Sequence, residues 1–209
     1  MTDTTLQRLA VPSTHGVDLR TELAIPSTPR AVMVMCHPHP LHGGSMYANV
    51  VEAVFGALPD EGVAVARFNF RGTNGSTGRH DGGRGERDDV AAVVATAADR
   101  WPGLPLVLGG YSFGAMMALT VDHPALTGWL AVAPVLKLID RADLVAADDQ
   151  RPLRLVAGVH DQYQDLEELR AFAASATATD LTPVDGADHF FAVGLDAVIA
   201  SARELSVPT

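Results

Sequence analysis

The sequence predicts an α/β protein built on a mostly parallel, doubly wound β-sheet. Short apolar runs of strand length alternate along the chain with longer stretches that are compatible with helices. Within the runs the apolar residues are consecutive, as in the strands of a parallel sheet covered by helices on both faces. The predicted strands of this sheet are Ala31–Cys36, Val63–Phe70, Leu104–Gly110, Gly128–Val135, Leu153–Val159 and Leu181–Val184.

The helices predicted between these strands provide the alternation that a doubly wound sheet requires. In the segment Gln164–Thr177, apolar residues recur with a helical period at Leu166, Leu169 and Phe172. The other predicted helices are Tyr47–Leu58, Arg87–Arg100, Phe113–Val121, Leu138–Asp149 and Phe190–Leu205.

The N-terminal part of the chain has a different pattern. Two apolar runs, Leu6–Val11 and Val17–Ile25, flank the turn signal His15-Gly16, and we expect them to form an antiparallel hairpin at one edge of the sheet. The chain has 209 residues and contains no internal repeat and no low-complexity linker. This length fits one α/β domain over residues 1–209.

The composition excludes several classes of function. The formal net charge is −10, and we expect no nucleic-acid partner, because phosphate binding requires a basic patch. No segment has the roughly 20 apolar residues of a membrane span, and Met1–Ala10 lacks the apolar run of a secretory signal. The single cysteine, Cys36, cannot form an intramolecular disulfide. We therefore expect a cytoplasmic protein, and the sequence leaves its oligomeric state open, a homo-oligomer included.

The most specific motif is Gly110-Tyr111-Ser112-Phe113-Gly114, a G-x-S-x-G pattern. It follows a predicted strand and opens a predicted helix, which is the context in which this motif exposes a nucleophilic serine on a sharp turn. Glycines around the serine avoid collisions between side chains and the backbone in such a turn. The alternative is an ordinary strand-to-helix turn in which Ser112 only caps the helix.

A serine hydroxyl becomes a nucleophile when a histidine removes its proton and a carboxylate holds that histidine in the correct tautomer. Asp161 directly follows the predicted strand Leu153–Val159, at the sheet edge where the sites of open α/β folds form. Asp140 is the rival acid, and His189 is the only histidine beyond Asp161. The sequence thus predicts a catalytic triad of Ser112, Asp161 and His189, in the chain order that accompanies a nucleophile elbow.

Acyl transfer also requires N–H donors for the oxyanion of the tetrahedral intermediate. One expected donor is the backbone N–H of Phe113, the residue after the serine. The other comes from the loop His37-Pro38-His39-Pro40, whose prolines have no N–H and leave that of His39. Two alternatives exist for these histidines: His37, His39 and His42 act as ligands of a metal ion, or they only shape the loop. We expect neither a metal nor an organic cofactor.

Five segments carry a resemblance to a known family, in one order along the chain. They are His37–Pro40 with Gly43-Gly44, Phe68–Gly72 with Gly75-Ser76, Gly110–Gly114, Asp161 and Gly186–Phe190. Together they resemble the small cap-less bacterial α/β-hydrolases, near the dienelactone-hydrolase and esterase branch. The resemblance implies the α/β-hydrolase fold, the triad and oxyanion donors named above, and a small carboxylic ester as the substrate of a serine hydrolase. The alternatives are a peptidase, thioesterase, acyltransferase or lyase on the same scaffold, or a binding module without catalysis.

Many α/β-hydrolases carry a helical cap between the strands that end here near Val135 and begin near Leu153. In this chain the connection has room for one helix, so we expect no cap domain and an open site walled mainly by loops. The glycine-rich loop Arg71–Arg87 forms one rim of this site or only makes turns. We interpret Arg71 itself as a structural residue.

Overall fold

The computed structural model describes residues 3–207, and these contain one eight-stranded sheet. Its strands are β1 (Thr4–Pro12), β2 (Asp18–Pro26), β3 (Ala31–Cys36), β4 (Val63–Phe68), β5 (Leu106–Tyr111), β6 (Leu126–Val132), β7 (Leu153–Gly158) and β8 (Thr179–Val184). The order across the sheet is β1-β2-β4-β3-β5-β6-β7-β8. β2 pairs antiparallel with both β1 and β4, and the other neighbouring strands are parallel. The predicted parallel sheet with an N-terminal antiparallel hairpin is confirmed.

Helices cover both faces of the sheet. They are α1 (Asn49–Ala57), α2 (Arg84–Arg100), α3 (Phe113–Ala118), α4 (Leu166–Ser175) and α5 (Leu195–Ser206). In β3, Val32 and Val34 belong to the core formed with α2, α3 and α4, while Met33 and Met35 belong to the core formed with α1 and α5. Consecutive apolar residues in the strands therefore serve two cores. In the part of the chain described, no helix combines the length and the apolar character needed to cross a membrane.

The structure shortens the last predicted helix, Phe190–Leu205, to Leu195–Ser206, and it contains no α-helix at the predicted Leu138–Asp149. The residues expected to form this second helix lie in short 3-10 turns at Leu136–Leu138, Arg141–Asp143 and Val145–Ala147. The N–H of Ala146 donates to the carbonyl of Leu119, just after α3. The carbonyl of Ala147 accepts from the N–H of Thr177, just after α4. Because these tertiary bonds occupy the backbone groups that a helix would pair internally, the connection between β6 and β7 packs as turns on the domain.

A buried ion pair fixes the loop between β4 and α2. Arg71 Nη2 lies 2.7 Å from Asp89 Oδ1, and the Nε and backbone N–H of Arg71 donate to Asp89 Oδ2 at 3.0 Å. The two side chains are 6% and 0% exposed. Glu86 is also buried, and it accepts the N–H of Gly83 at the start of α2. Both Arg71 and Glu86 thus hold the loop in place.

Asp89→Ala is expected to lower the free energy of unfolding by about 3–5 kcal/mol, because the guanidinium of Arg71 would stay buried without its counter-charge. Asp88→Ala is the matched control on the same helix. The Asp88 carboxylate accepts one exposed hydrogen bond, from Thr14, and its loss is expected to cost about 1 kcal/mol or less. Urea denaturation of both variants measures the difference. Equal losses of unfolding free energy in the two variants would contradict the role of the Arg71–Asp89 pair in stability.

Candidate active site

Ser112 occupies a strained turn between β5 and α3. Its backbone has φ 54° and ψ −115°, a conformation that non-glycine residues rarely adopt. A Cβ on Gly110 would collide with the carbonyl of Gly114, and a Cβ on Gly114 would collide with the carbonyls of Cys36 and His37. The G-x-S-x-G motif therefore folds as a sharp strand–turn–helix connection in which side chains on either glycine would have no room.

In the predicted triad, His189 lies within hydrogen-bond distance of both Ser112 and Asp161. Ser112 Oγ is 2.9 Å from His189 Nε2, and His189 Nδ1 is 2.8 Å from Asp161 Oδ2. Asp161 Oδ1 accepts the backbone N–H groups of Tyr163 and Gln164 at 2.8 and 3.1 Å. These two bonds turn Oδ2 toward the imidazole. The carboxylate thus favours a proton on Nδ1, which leaves the lone pair of Nε2 for the serine hydroxyl.

Backbone contacts fasten the loop after β7 to the loop after β8. The N–H of Val159 donates to the carbonyl of Val184 at 3.0 Å, and the N–H of His160 donates to that of Ala187 at 2.9 Å. A Cβ on Gly158 would collide with the same carbonyl of Ala187. The first of these loops carries the predicted acid and the second carries the predicted base. Main-chain contacts therefore keep the loop of Asp161 next to the loop of His189, independently of the hydrogen bond between the two side chains.

The two residues predicted to donate to the oxyanion, His39 and Phe113, line the same cavity as Ser112. The N–H groups of residues 41–44 all have acceptors within their own loop. Three of them donate to His39, to its Nδ1 or its carbonyl, and that of Gly43 donates to the carbonyl of Pro40. Since Pro38 and Pro40 have no N–H, the N–H of His39 is left available. Phe113 is the first residue of α3, where an amide has no acceptor inside the helix. The rings of His39 and Phe113 are 4.9 Å apart, so the two candidate donors belong to neighbouring residues.

Ser112 opens into a cavity of about 520 Å³, which is within the usual size of small-molecule sites. The exposed side chains of Leu138, Tyr163 and Phe190 stand at its mouth. No Asp, Glu, Lys or Arg is among the described residues that line it. The lining residues are Pro38, His39, His42, Gly43, Gly44, Ala48, Asn49, Tyr111, Ser112, Phe113, Met116, Val135, Leu138, Tyr163, His189 and Phe190.

A second cavity of about 310 Å³ adjoins the first and shares His39, Phe113, Met116 and Leu138 with it. Met116 lines both cavities and also belongs to the core. Asp140, the rival acid, lines the second cavity. Its carboxylate accepts the N–H of Ala142 at 3.0 Å in an exposed turn, away from the imidazole that Asp161 contacts.

Comparison with known proteins agrees with this architecture. Residues 27–153 match the model of the serine aminopeptidase family S33, which is more than half of the chain. The chain belongs to this family. The matched residues include Ser112 and end before Asp161 and His189, so the positions of the predicted acid and base rest on the geometry described above.

Two solved structures and one sequence relative are similar to this chain over most of its length. An α/β serine hydrolase from Xanthomonas campestris, described as lacking a lid, superposes with a TM-score of 0.85 at 27% identity, over 98% of this chain and 96% of that chain. An α/β serine hydrolase homologue from Coxiella burnetii superposes with a TM-score of 0.81 at 29% identity, over the same shares. An uncharacterised protein of Rickettsia prowazekii is 33% identical over 177 residues, 79% of this chain and 73% of that protein. The chain is thus an α/β-hydrolase of the cap-less bacterial type.

Three contacts of His189 in this S33-family chain were not predicted from the sequence. The hydroxyl of Tyr111 donates to the carbonyl of His189 at 2.9 Å, and the N–H of His189 donates to Gln162 Oε1 at 3.3 Å. The ring of Tyr163 lies 4.7 Å from the imidazole. Burial raises the pKa of Tyr111 to about 12, so its hydroxyl stays a donor. The position of Tyr111 inside the G-x-S-x-G motif is a signal from which its place near the site could have been predicted. No sequence pattern distinguishes Gln162 in this way.

The structure separates the histidines that were considered as metal ligands. His37 is buried behind the loop, with its ring 4.8 Å from that of Phe70, whereas His39 and His42 line the cavity. Within residues 3–207, no group of three or more His, Cys, Asp and Glu side chains is arranged to hold a metal ion. His37 therefore belongs to the support of the loop.

His37 makes the stability of the protein depend on pH. Burial lowers its pKa from 6.5 to about 4, so the unfolded chain takes up a proton at a higher pH than the folded one. The stabilisation by neutral His37 is complete above pH 6.5 and is lost as the pH falls toward 4, at up to roughly 1.4 kcal/mol per pH unit. Urea denaturation across this range should show a shallower pH dependence for His37→Asn than for the wild type. Identical slopes would refute the expectation.

Proposed function

We propose that the protein hydrolyses small carboxylic esters with uncharged, apolar acyl groups through an acyl-enzyme on Ser112. The observation that carries this proposal is the hydrogen-bonded series from Ser112 through His189 to Asp161. It opens into a cavity large enough for a small ester. A role in binding alone would not require these three groups in this arrangement.

In the proposed reaction, His189 Nε2 removes the proton of Ser112 as the serine oxygen attacks the ester carbonyl carbon. The N–H groups of His39 and Phe113 stabilise the negative charge on the carbonyl oxygen. Asp161 stabilises the imidazolium, which gives its proton to the leaving alcohol. Neutral His189 then removes a proton from water as the water oxygen attacks the acyl-enzyme carbonyl. The imidazolium returns that proton to the Ser112 oxygen as the bond between this oxygen and the acyl carbon breaks and the carboxylic acid leaves.

The lining of the cavity favours esters over the substrates of aminopeptidases. An aminopeptidase must bind the free α-ammonium group of its substrate, and a buried ammonium requires a counter-charge. The described lining of this cavity contains no Asp or Glu, and the two acids of the adjoining cavity are already engaged, one by a backbone N–H and the other by Arg87. The carboxylate of Asp161 is occupied by His189 and by two backbone N–H groups. Apolar side chains such as Met116 and Val135 instead suit an uncharged acyl group.

A substrate panel tests the proposal. Purified protein is assayed with p-nitrophenyl esters of increasing acyl length, with thioesters and with aminoacyl p-nitroanilides, alongside labelling by a fluorophosphonate probe. We expect kcat/KM to be highest for neutral esters and labelling to disappear in Ser112→Ala. Faster turnover of aminoacyl anilides than of any ester would overturn the choice of substrate. Absence of labelling in the folded wild type would overturn the enzymatic role.

A further inference from the structure

His37 is a buried imidazole outside the triad, and both of its nitrogens are engaged. Nε2 lies 3.0 Å from the backbone nitrogen of Phe70, and Nδ1 lies 2.6 Å from the carbonyl oxygen of Pro38. An amide N–H can only donate, so Nε2 is the acceptor and the ring proton is on Nδ1. His37 therefore donates to the Pro38 carbonyl from a neutral ring, which is anchored to the backbone just after β4.

The carbonyl of Pro38 and the N–H of His39 belong to the same peptide unit. The structure contains no cis peptide bond among the described residues, and in a planar trans unit the N–H points opposite to the C=O. A hydrogen bond that fixes the direction of the Pro38 carbonyl thus also fixes the direction of the His39 N–H. It also polarises the amide and makes its N–H a stronger donor.

The contacts around this peptide leave little freedom for other orientations. A Cβ on Gly44 would collide with the carbonyl of Pro38, and the N–H of Gly44 donates to the carbonyl of His39 at 3.1 Å. On the other side, His37 is 0% exposed and does not line the cavity of Ser112. The ring is therefore placed to act on the peptide, and it is out of reach of a substrate.

We propose that His37 is a positioning residue of the oxyanion hole, which holds the Pro38–His39 peptide so that the His39 N–H faces the developing oxyanion. This inference rests on the proposed esterase function. It assigns to the imidazole an effect on the transition state, where the negative charge develops. Loss of the hydrogen bond to Pro38 is then expected to lower kcat more than it raises KM.

Two substitutions distinguish the role of Nδ1 from the role of Nε2. His37→Asn keeps an N–H donor near the place of Nδ1 and loses the acceptor for Phe70. His37→Gln keeps an oxygen acceptor near the place of Nε2 and loses the donor to Pro38. We expect His37→Gln to lower kcat by about tenfold to a hundredfold, less than the loss of a whole oxyanion donor, with KM within about twofold of the wild type. His37→Asn should retain most of kcat.

The readouts are kcat and KM for a p-nitrophenyl ester, inhibition by a trifluoromethyl ketone, which forms an oxyanion on the serine, and the thermal midpoint of unfolding. The proposal is supported if His37→Gln weakens inhibition by the ketone by the same factor by which it lowers kcat/KM. It is overturned if, in both variants alike, kcat falls only in proportion to the drop in the thermal midpoint. It is also overturned if both variants keep wild-type kcat. Hydrolysis by the wild type tests the proposed function separately, because it involves no change at His37.

A measurement on the unaltered protein covers the case in which neither variant folds. Nitrogen-15 NMR of histidine-labelled wild type distinguishes the two neutral tautomers of each imidazole. We expect the resonance of the buried ring to show a proton on Nδ1 and none on Nε2 at neutral pH. The opposite tautomer, or a charged ring at neutral pH, would overturn the proposal, since neither matches a donor to Pro38 combined with an acceptor for Phe70.

Discussion

Ser112→Ala and His189→Ala are each expected to lower kcat/KM for a p-nitrophenyl ester by about 10⁵-fold or more, because the serine, the histidine and the acid act as one unit. Without Ser112 Oγ no acyl-enzyme forms, and without His189 Nε2, 2.9 Å away, the hydroxyl keeps its proton. The double variant should lose little more than either single variant. Steady-state assays with freshly purified protein measure both effects.

Stability provides the control for this first prediction. The backbone of Ser112 lies at φ 54°, and strain of this kind costs about 1–3 kcal/mol. Ser112→Gly is therefore expected to raise the thermal midpoint of unfolding while it abolishes turnover, and Ser112→Ala should leave the fold intact. If Ser112→Ala is well folded and retains more than about 1% of the activity, the nucleophile has been assigned to the wrong residue.

Asp161→Asn is expected to lower kcat by about 10⁴-fold through the wrong imidazole tautomer. The backbone N–H groups of Tyr163 and Gln164 both donate to Oδ1 of Asp161. In the variant they hold the amide oxygen in that place, and the NH₂ group then faces His189. Because an NH₂ group donates, Nδ1 must become an acceptor, and the proton moves to Nε2, which faces Ser112. The imidazole can then no longer act as a base.

Asp140→Asn is the matched control for the acid. The Asp140 side chain caps an exposed turn by accepting the N–H of Ala142, and an asparagine oxygen can do the same. Its kcat is expected to stay within about twofold of the wild type. The pH dependence of kcat for the two variants completes the comparison. Near-normal turnover in Asp161→Asn, together with loss of turnover in Asp140→Asn, would reverse the assignment of the acid.

The sheet and the meeting of the three site residues were predictable from the sequence because each depends on strong local signals. β3 spans Ala31–Cys36, as predicted, since a run with two apolar faces fits the centre of a parallel sheet. The elbow follows from glycines that the turn requires. The proximity of Asp161 and His189 was predictable because each follows a strand, and the carboxyl ends of parallel strands meet at one edge.

The parts that were not predictable depend on tertiary contacts. The expected helix after β6 is replaced by turns because Ala146 and Ala147 pair with backbone groups far away in the chain. The last helix begins at Leu195 instead of Phe190, after Gly194 with φ 87°. Residues 185–194 form the loop that brings His189 to the serine. No local pattern shows that a helix-compatible stretch is used as a loop.

The main-chain clasp between the loops after β7 and β8 has a consequence for motion at the rim of the sheet. Val159 and His160 tie one loop to Val184 and Ala187 of the other, whereas Ser112 stands on a separate central strand. If β7 and β8 move relative to the centre of the sheet, the imidazole of His189 and the carboxylate of Asp161 are expected to move together. The contact between the Ser112 hydroxyl and the imidazole is then expected to open first, while the hydrogen bond between His189 and Asp161 stays formed.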